Sequence, residues 1–344
     1  MTKSNRIIPL EALRFLIMFQ ICLWHFDDCL DNMEAGYLGV EFFFILSGIF
    51  IYKSVLGGNS DGVISFTFKR VKKFYPAYVT AVVLAYGLFF HSQIRELFMI
   101  NPIHECLRFC SQLLMIQNVG IVQGGVNLPL WFFSVYVYGG AFVYALTKYY
   151  TNISIRIVFP VISALFFSYV FKFQTGPGLE LWSMVGLFPM PLMRGVVEIA
   201  FGVMTGYILF NYQEKIFSRS KLLDLLSVVS MVAYFSIVFG SDLDAPYSLL
   251  LIPVMIAGVM NPVSKIGRLL SQRLWLKLGS LTFDMFLIHW LLVMTIKPLG
   301  IRLDVSLETQ LVVYILILIP VSIGFRYFVK MLNSIVAFIG NVIR

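Results

Sequence analysis

Residues 8–26, IPLEALRFLIMFQICLWHF, decide how this chain folds. As a helix, this nearly unbroken apolar stretch is long enough to cross about 30 Å of hydrocarbon. Arg14 and His25 are its only basic side chains, and they stand eleven positions apart. At about 1.5 Å and 100° per residue, eleven positions make three turns, so both side chains point the same way about 16 Å apart. Because an ionisable group inside a membrane costs roughly 2.5–3.5 kcal/mol, we expect both residues to have a function.

The composition of the whole chain agrees with this first stretch. Of 344 residues, 59% are hydrophobic and 13% are charged, whereas a soluble domain has about a quarter charged residues. In lipid, backbone groups must pair within their own segment, so long apolar runs indicate helices. The sequence therefore predicts an all-α polytopic membrane protein with about ten transmembrane helices, at 8–26, 36–56, 74–92, 130–147, 155–172, 193–211, 223–240, 246–260, 277–296 and 309–329.

The net charge of +8 is explained by the distribution of the basic residues along these predicted helices. When the N-terminus is placed in the cytoplasm, most lysines and arginines fall in the inner segments, and orientation follows that bias. We therefore predict that both termini are cytoplasmic and that the basic residues do not mark a nucleic-acid partner. Residues 1–344 are predicted to form one membrane domain with no appended soluble domain.

Metal and cofactor sites are not expected. The four histidines lack metal-ligand spacing, and the four cysteines contain no CxxC pair, so no zinc site is predicted. We also expect no permanently bound cofactor.

The first constellation of polar residues combines Glu11, Arg14 and His25. Glu11 precedes Arg14 by three positions and can pair with it on a helix. The structural interpretation is a helix–helix polar contact with a snorkelling arginine and an interfacial histidine. The functional interpretation is an anion site near the cytosol and a proton-transfer histidine near the exterior.

The second motif is GYLGVEFFFILSG at residues 36–48. Its small residues allow helices to approach closely, and Glu41 is a carboxylate expected inside the membrane. Ser47 lies beside the last glycine of the motif. Helix packing alone would explain such a motif, so the motif by itself is only a modest indicator of a functional site.

The third motif is FKRVKKFYPAY at residues 68–78. Lys69, Arg70 and Lys73 would contact anionic lipid headgroups in one interpretation. In the other, they form a cytoplasmic pocket for a phosphorylated donor, because clustered cations bind phosphate well. Tyr78 ends the motif.

Two later motifs contain further candidate residues. Trp131, in the sequence LPLWF at 128–132, is an interfacial anchor or an aromatic platform for a sugar ring. The segment GSLTFDMFLIH at 279–289 places His289 five residues after Asp284 inside a predicted helix. Both of these residues are candidates for packing or for acceptor binding.

In this order and spacing, the motifs resemble the acyltransferase-3 family of membrane acyltransferases over about residues 8 to 330. The resemblance implies a ten-helix fold that takes an acyl group, usually acetyl, from cytoplasmic acyl-CoA. It also implies a carbohydrate acceptor, usually a hydroxyl of a surface or secreted glycan. Where the family's basic motif often has arginine, this chain has Lys69 and Lys73, which bind phosphate without the bidentate guanidinium fork.

The resulting hypothesis is an integral membrane O-acyltransferase in a bacterial cytoplasmic membrane. Arg14, Lys69, Arg70 and Lys73 would bind acyl-CoA, and His25, polarised by Glu41, would be the general base, with a covalent acyl-histidine as the variant mechanism. Ser47, Tyr78, Trp131, Asp284 and His289 would bind the acceptor or support the fold. The alternatives are a transporter or flippase of a lipid-linked glycan and a non-catalytic partner in a glycan-synthesis complex. The sequence does not specify an oligomeric state.

Overall fold

The computed structural model describes residues 7–27, 35–90, 94–120, 124–173, 184–185, 188–240 and 245–342, and these residues are overwhelmingly helical. Fifteen helices can be numbered in these ranges: α1 (Ile8–Asp27), α2 (Leu38–Leu56), α3 (Val63–Phe89), α4 (Arg95–Ile100), α5 (Pro102–Leu113), α6 (Trp131–Tyr149), α7 (Thr151–Ile153), α8 (Phe159–Phe173), α9 (Met190–Asn211), α10 (Gln213–Phe217), α11 (Ser220–Phe239), α12 (Leu251–Met260), α13 (Lys265–Leu269), α14 (Arg273–Arg302) and α15 (Leu307–Val342). Strands β1 (Met184–Val185) and β2 (Phe188–Pro189) pair antiparallel, with Met184 opposite Pro189.

The prediction of a polytopic helical membrane protein is confirmed. Within the described ranges, eight helical segments are long and apolar enough to cross a membrane. The two other predicted spans also coincide with helical segments. One is α3, whose first half is basic, and the other is a 3₁₀ turn at Ala245–Leu250 followed by α12. The cytoplasmic placement of both termini stays a prediction.

The chain divides into two compact units. The first unit comprises residues 1–67 and 134–280, and the second comprises 68–133 and 281–344. The unit boundaries fall within α3, α6 and α14.

In the first unit, glycines bring α2 and α9 into backbone contact. A Cβ atom on Gly48 would lie 2.0 Å from the carbonyl oxygen of Ile199, and one on Gly202 would lie 2.0 Å from that of Ile45. Larger side chains at either glycine would therefore force the helices apart. Gly202 and Gly206 form a GxxxG pair, which is typical of close helix packing in membranes.

An apolar core connects α1 and α2 with α11 and α12 in the same unit. Its fully buried members include Ile17, Phe42, Tyr234 and Ile252. This core packs around the N-terminal half of α1.

In the second unit, a cluster of aromatic rings packs α3 and the start of α6 against α14. The Phe133 ring lies 5.1 Å from Phe74, 5.9 Å from Phe283 and 5.5 Å from Phe286, measured between centroids. Offset and edge-to-face arrangements of this kind are favourable for aromatic pairs.

One predicted boundary was wrong. The third span was predicted to begin at residue 74, but α3 already begins at Val63, because lysine and arginine are good helix formers and no proline occurs before Pro76. Between the third and fourth predicted spans, α5 spans Pro102–Leu113. It begins there because Asn101 accepts a hydrogen bond from the His104 amide at 3.1 Å and proline is favourable in a first turn.

Candidate active site

The candidate site follows α1, which positions Arg14 and His25. The helix is continuous from Ile8 to Asp27, so the two side chains are separated by about 16 Å along its axis. Both are half-buried, whereas most of the residues around them are buried. This combination holds each group within the protein and leaves part of it accessible.

At the Arg14 end, the predicted ion pair with Glu11 is present. The Arg14 Nη1 atom lies 3.0 Å from Glu11 Oε1, and the Glu11 side chain is only 9% exposed. Gly279 packs directly on Glu11, because a Cβ atom there would lie 2.6 Å from the Glu11 carbonyl oxygen. The glycine of the motif at 279–289 therefore serves the packing of α14 on the beginning of α1.

At the other end of α1, the backbone orients His25. Its Nδ1–H group donates to the carbonyl oxygen of Ile21 at 3.1 Å. In the neutral ring this leaves Nε2 as the basic nitrogen. The Trp24 ring lies 4.5 Å from the imidazole. The geometry therefore provides a half-buried histidine with a defined tautomer.

The N-terminal end of α2 packs against the C-terminal end of α1, where His25 lies. Gly36 packs on the Trp24 side chain, where a Cβ atom would lie 2.0 Å from Cγ. The Gln20 amide nitrogen donates to the Gly36 carbonyl oxygen at 2.8 Å, and Tyr234 donates to the Gln20 amide oxygen at 2.9 Å. The GxxG part of the second motif thus brings Glu41 to the His25 end of the helix.

Glu41 belongs to a buried cluster of three charged side chains. Arg194 donates to Glu41 Oε1 through Nη2, and its Nε atom lies 3.3 Å from Glu198 Oε1. The side chains of all three residues are at most 2% exposed. The cluster contains one guanidinium and two carboxyl groups, so a fully ionised cluster would have a net charge of −1.

Aromatic contacts connect this cluster to the histidine. The Arg194 guanidinium lies 5.3 Å from the centre of the Tyr37 ring, and the Tyr37 ring lies 6.5 Å from that of Trp24. Trp24 in turn contacts His25. A polarising contact from Glu41 to His25 stays a prediction. The observed role of Glu41 is its ion pair with Arg194.

The other predicted residue of the second motif, Ser47, is buried at 7% exposure. It precedes Gly48, whose backbone meets α9. Acceptor binding by Ser47 stays a prediction.

The basic residues of the third motif lie on α3, in the second unit. Lys69 and Lys73 are exposed and Arg70 is half-buried. Tyr78 is fully buried, donates to the carbonyl oxygen of Gln112 at 2.7 Å, and accepts from the Gln117 amide at 2.9 Å. Anion binding by the three cations stays a prediction, whereas Tyr78 holds the segment after α5 in place.

The remaining predicted residues also belong to the second unit. Trp131 is 5% exposed, so its ring is packed inside the protein. His289 is fully buried, and its Nδ1–H group donates to the carbonyl oxygen of Phe286 at 2.8 Å. Asp284 pairs with Arg326 through contacts of 2.8 and 2.5 Å to Oδ2. Asp284 therefore joins α14 to α15.

Sequence reasoning missed Arg194, Glu198 and Arg326. Arg194 and Glu198 could have been found, because an arginine and a glutamate four positions apart in an apolar helix are typical of a buried pair. The pairing of Arg326 with Asp284 joins residues 42 positions apart, and sequence spacing contains no signal for it. Among the residues described here, no group of three or more histidine, cysteine, aspartate or glutamate side chains could hold a metal ion.

The fold and these polar groups define a multi-pass helical membrane protein with a half-buried histidine at one end of its first helix. Residues 7–329 match the acyltransferase 3 family model, which describes an acyltransferase domain, and the chain belongs to this family. The resemblance identified from the motifs is thereby confirmed, and the protein is a membrane acyltransferase. Comparison with curated proteins and with solved structures finds no match.

Proposed function

We propose that this protein is an O-acyltransferase that moves an acyl group, most simply acetyl, from cytoplasmic acyl-CoA to a hydroxyl of a polysaccharide outside the cytoplasm. The membrane would be the plasma membrane of a bacterium, and the acceptor would be a surface, secreted or lipid-linked glycan. The observation that carries the proposal is the fixed tautomer and partial exposure of His25.

In this proposal His25 is the general base. Its Nε2 atom removes the proton of the acceptor hydroxyl while the hydroxyl oxygen attacks the thioester carbonyl carbon. The carbon–sulfur bond then breaks, and the CoA sulfur takes the proton from His25. The ring returns to its starting state, so no other reactant is needed. The contact of Nδ1–H with Ile21 would stabilise the imidazolium that forms during the step.

Donor binding is proposed for the cationic groups predicted near the cytoplasm. In the first unit, Arg14 is half-buried and is oriented by Glu11. In the second unit, Lys69 and Lys73 are exposed on α3 and Arg70 is half-buried. Phosphate groups of acyl-CoA are suitable ligands for guanidinium and ammonium groups.

Glu41 is proposed to act on the site through its position. Its pairing with Arg194 fixes the beginning of α2 beside Trp24 and His25. We assign no permanently bound cofactor and no nucleic-acid partner to this mechanism.

The deciding experiment substitutes His25. Full-length wild-type protein, His25→Ala and the control His104→Ala are expressed in cells that lack the chromosomal copy, and their surface glycan is compared by mass spectrometry. His104 is an exposed histidine on α5, so it matches the chemistry of the change. We expect His25→Ala to lose the acyl mass that wild type and His104→Ala add, because general-base catalysis contributes about 10²–10⁴-fold. An undiminished acyl mass in folded His25→Ala would disprove the proposed role.

The donor proposal has its own test. Arg14→Ala is expected to raise the apparent KM for acetyl-CoA by about tenfold, equivalent to one lost charge-assisted contact. Arg273→Ala is the control, because Arg273 is an exposed arginine at the start of α14. Thiol release from acetyl-CoA in nanodiscs measures both variants. An unchanged KM in Arg14→Ala would argue against donor binding by this residue. A transporter or flippase would release no thiol with any variant.

A further inference from the structure

Helix α5 has a polarity opposite to that of a surface helix in a soluble protein. Its polar side chains Glu105 and Gln112 are buried in the second unit. The opposite face consists of Ile103, Leu107 and Cys110, which are all exposed, Ile103 at 73% and Leu107 at 54%. A medium that is itself apolar would cover this face favourably, whereas water would not.

The level of the membrane along α14 follows from two flanking lysines. Leu287 stands ten positions after Lys277 and ten positions before Lys297 on this continuous helix. Lysines near the ends of a span place their charges at the membrane surface. Ten positions on a helix make about 15 Å, which is half of about 30 Å of hydrocarbon, so Leu287 lies near the bilayer midplane.

Hydrogen bonds connect the C-terminal end of α5 to this level. The Gln112 amide nitrogen donates to the Asn127 carbonyl oxygen at 3.2 Å, and the Asn127 amide nitrogen donates to the Leu287 carbonyl oxygen at 3.0 Å. The Trp290 indole donates to the Val126 carbonyl oxygen at 3.1 Å and holds the same segment on α14. The end of α5 is therefore two hydrogen bonds away from the middle of a membrane-spanning helix.

Helix α3 provides a second, independent measure of this depth. Tyr78 donates to the Gln112 carbonyl oxygen at 2.7 Å, and the ring centroids of Tyr86 and Phe109 are 4.7 Å apart, so α5 packs on α3. Tyr78 lies eleven positions, or about 16 Å, before the end of α3 at Phe89. This distance is again about half the thickness of the hydrocarbon.

The irregular backbone that follows α5 has the partners that lipid would not supply. The Gln117 amide donates to the Leu130 carbonyl oxygen at 2.9 Å, as the Gln112 amide does to Asn127. Gln112, Gln117 and Asn127 are at most 1% exposed. Irregular backbone at membrane depth is tolerated where it is buried in protein in this way.

The length and charges of α5 fit a helix that enters the membrane without crossing it. From Pro102 to Gln112 the helix rises about 15 Å, whereas a crossing needs about 20 residues. Arg108 Nη1 contacts both carboxylate oxygens of buried Glu105, at 2.8 and 2.9 Å. Ionisable groups within a membrane are typically paired and directed into the protein, as this pair is.

We propose that α5 is a half-helix inserted in the membrane, whose C-terminal end reaches the bilayer midplane and whose face of Ile103, Leu107 and Cys110 contacts lipid acyl chains. At this depth the surrounding medium is hydrocarbon, which is why an exposed apolar face is stable there. This inference does not depend on the proposed function.

The test measures the depth of three positions on this face. Ile103→Cys, Leu107→Cys and native Cys110 are spin-labelled one at a time in full-length protein whose other cysteines are replaced by alanine. In nanodiscs, electron paramagnetic resonance compares collisions of each label with oxygen and with a water-soluble nickel chelate. Leu316→Cys, at a residue 68% exposed on α15, is the lipid control, and Glu308→Cys, in the exposed first turn of α15, is the water control.

We expect the ratio of oxygen to chelate collisions at Cys110 to match that at Leu316 and to exceed that at Glu308 by at least about tenfold, because the polar chelate is excluded from hydrocarbon. The ratio should rise from Ile103 through Leu107 to Cys110, since seven positions along a helix make about 10 Å. Ratios at Leu107 and Cys110 like that at Glu308 would place the face in water and overturn the inference. Equal ratios at all three positions would indicate a helix lying flat at the membrane surface, and labels shielded from both reagents would indicate a covering protein; either result overturns it.

The native cysteines provide a second measurement that needs no substitution. In wild-type nanodiscs, Cys110 should not react with a water-soluble maleimide until the protein is denatured, because the reactive thiolate does not form in hydrocarbon. Mass spectrometry locates the modified cysteine. Reaction of Cys110 in intact nanodiscs would contradict the insertion of α5, whether or not the protein acylates a glycan.

Discussion

The buried cluster of Glu41, Arg194 and Glu198 makes a strong prediction about stability. In Arg194→Met, two carboxyl groups would remain together in a site where every side chain is at most 2% exposed. Removal of one partner from a buried ion pair typically costs about 3–5 kcal/mol, because the remaining charge is buried without compensation. At about 2 °C per kcal/mol for a large domain, we expect Arg194→Met to lower the melting temperature by at least about 6 °C.

The charge count distinguishes this explanation from a simple loss of packing. Glu198→Gln leaves one guanidinium and one carboxylate, so it should cost less than about 1 kcal/mol. Glu41→Gln combined with Glu198→Gln leaves a buried guanidinium without a carboxylate and should cost as much as Arg194→Met. The triple variant, in which Arg194→Met is added, is neutral and should recover most of the loss, since neutral replacements of buried ion pairs are well tolerated.

The assay is the fraction of each purified protein that stays monodisperse after heating, measured by size-exclusion chromatography in one detergent. Wild type, Arg194→Met, the double Glu41→Gln and Glu198→Gln variant, and the triple variant form a cycle that isolates the interaction from the effects of the separate changes. A melting temperature of Arg194→Met within 2 °C of wild type would refute the reasoning, as would a triple variant no more stable than the single one.

Two further predictions concern helix contacts. Gly48→Ala should prevent correct packing of α2 on α9 and abolish monodisperse protein, because its Cβ atom would lie 2.0 Å from the Ile199 carbonyl oxygen. The control is Gly87→Ala on α3, where the new Cβ would contact no neighbouring element within 4 Å, so this variant should be stable or gain up to about 1 kcal/mol from helix propensity. Equal yields of the two variants would contradict the contact between α2 and α9. Asp284→Asn should lower the free energy of unfolding by only about 1 kcal/mol, since Arg326 is 27% exposed and solvent screens the ion pair. A decrease in melting temperature as large as that of Arg194→Met would contradict this expectation.

Much of the fold could be predicted because the membrane restricts what an apolar run can become. Ten helical segments follow the predicted spans, since backbone groups in lipid must pair within their own segment. The helix boundary that was predicted incorrectly lies in a segment that the requirement for backbone pairing in lipid does not determine. The basic part of α3 and the region before α6 contain mixed sequences, and local capping by Asn101 decides where α5 starts.

The candidate site was predictable only in part. The Glu11–Arg14 pair follows from helical spacing alone and is present. The pairing of Glu41 with Arg194 joins residues 153 positions apart, and spacing contains no information about such a contact. The role of Gly48 was foreseen only as close packing, because the identity of the partner helix depends on the tertiary structure.

The two intramembrane histidines show why geometry must be added to a motif before a role is assigned. His25 and His289 both donate Nδ1–H to a carbonyl oxygen of the preceding turn, so both present Nε2 as the basic nitrogen. This shared feature comes from the helix, and it cannot by itself distinguish a catalytic residue from a packed one. Exposure does distinguish them, since a general base must come within hydrogen-bond distance of the acceptor hydroxyl. His289 is fully buried and His25 is only half-buried, so this difference supports the proposal of His25 as the general base.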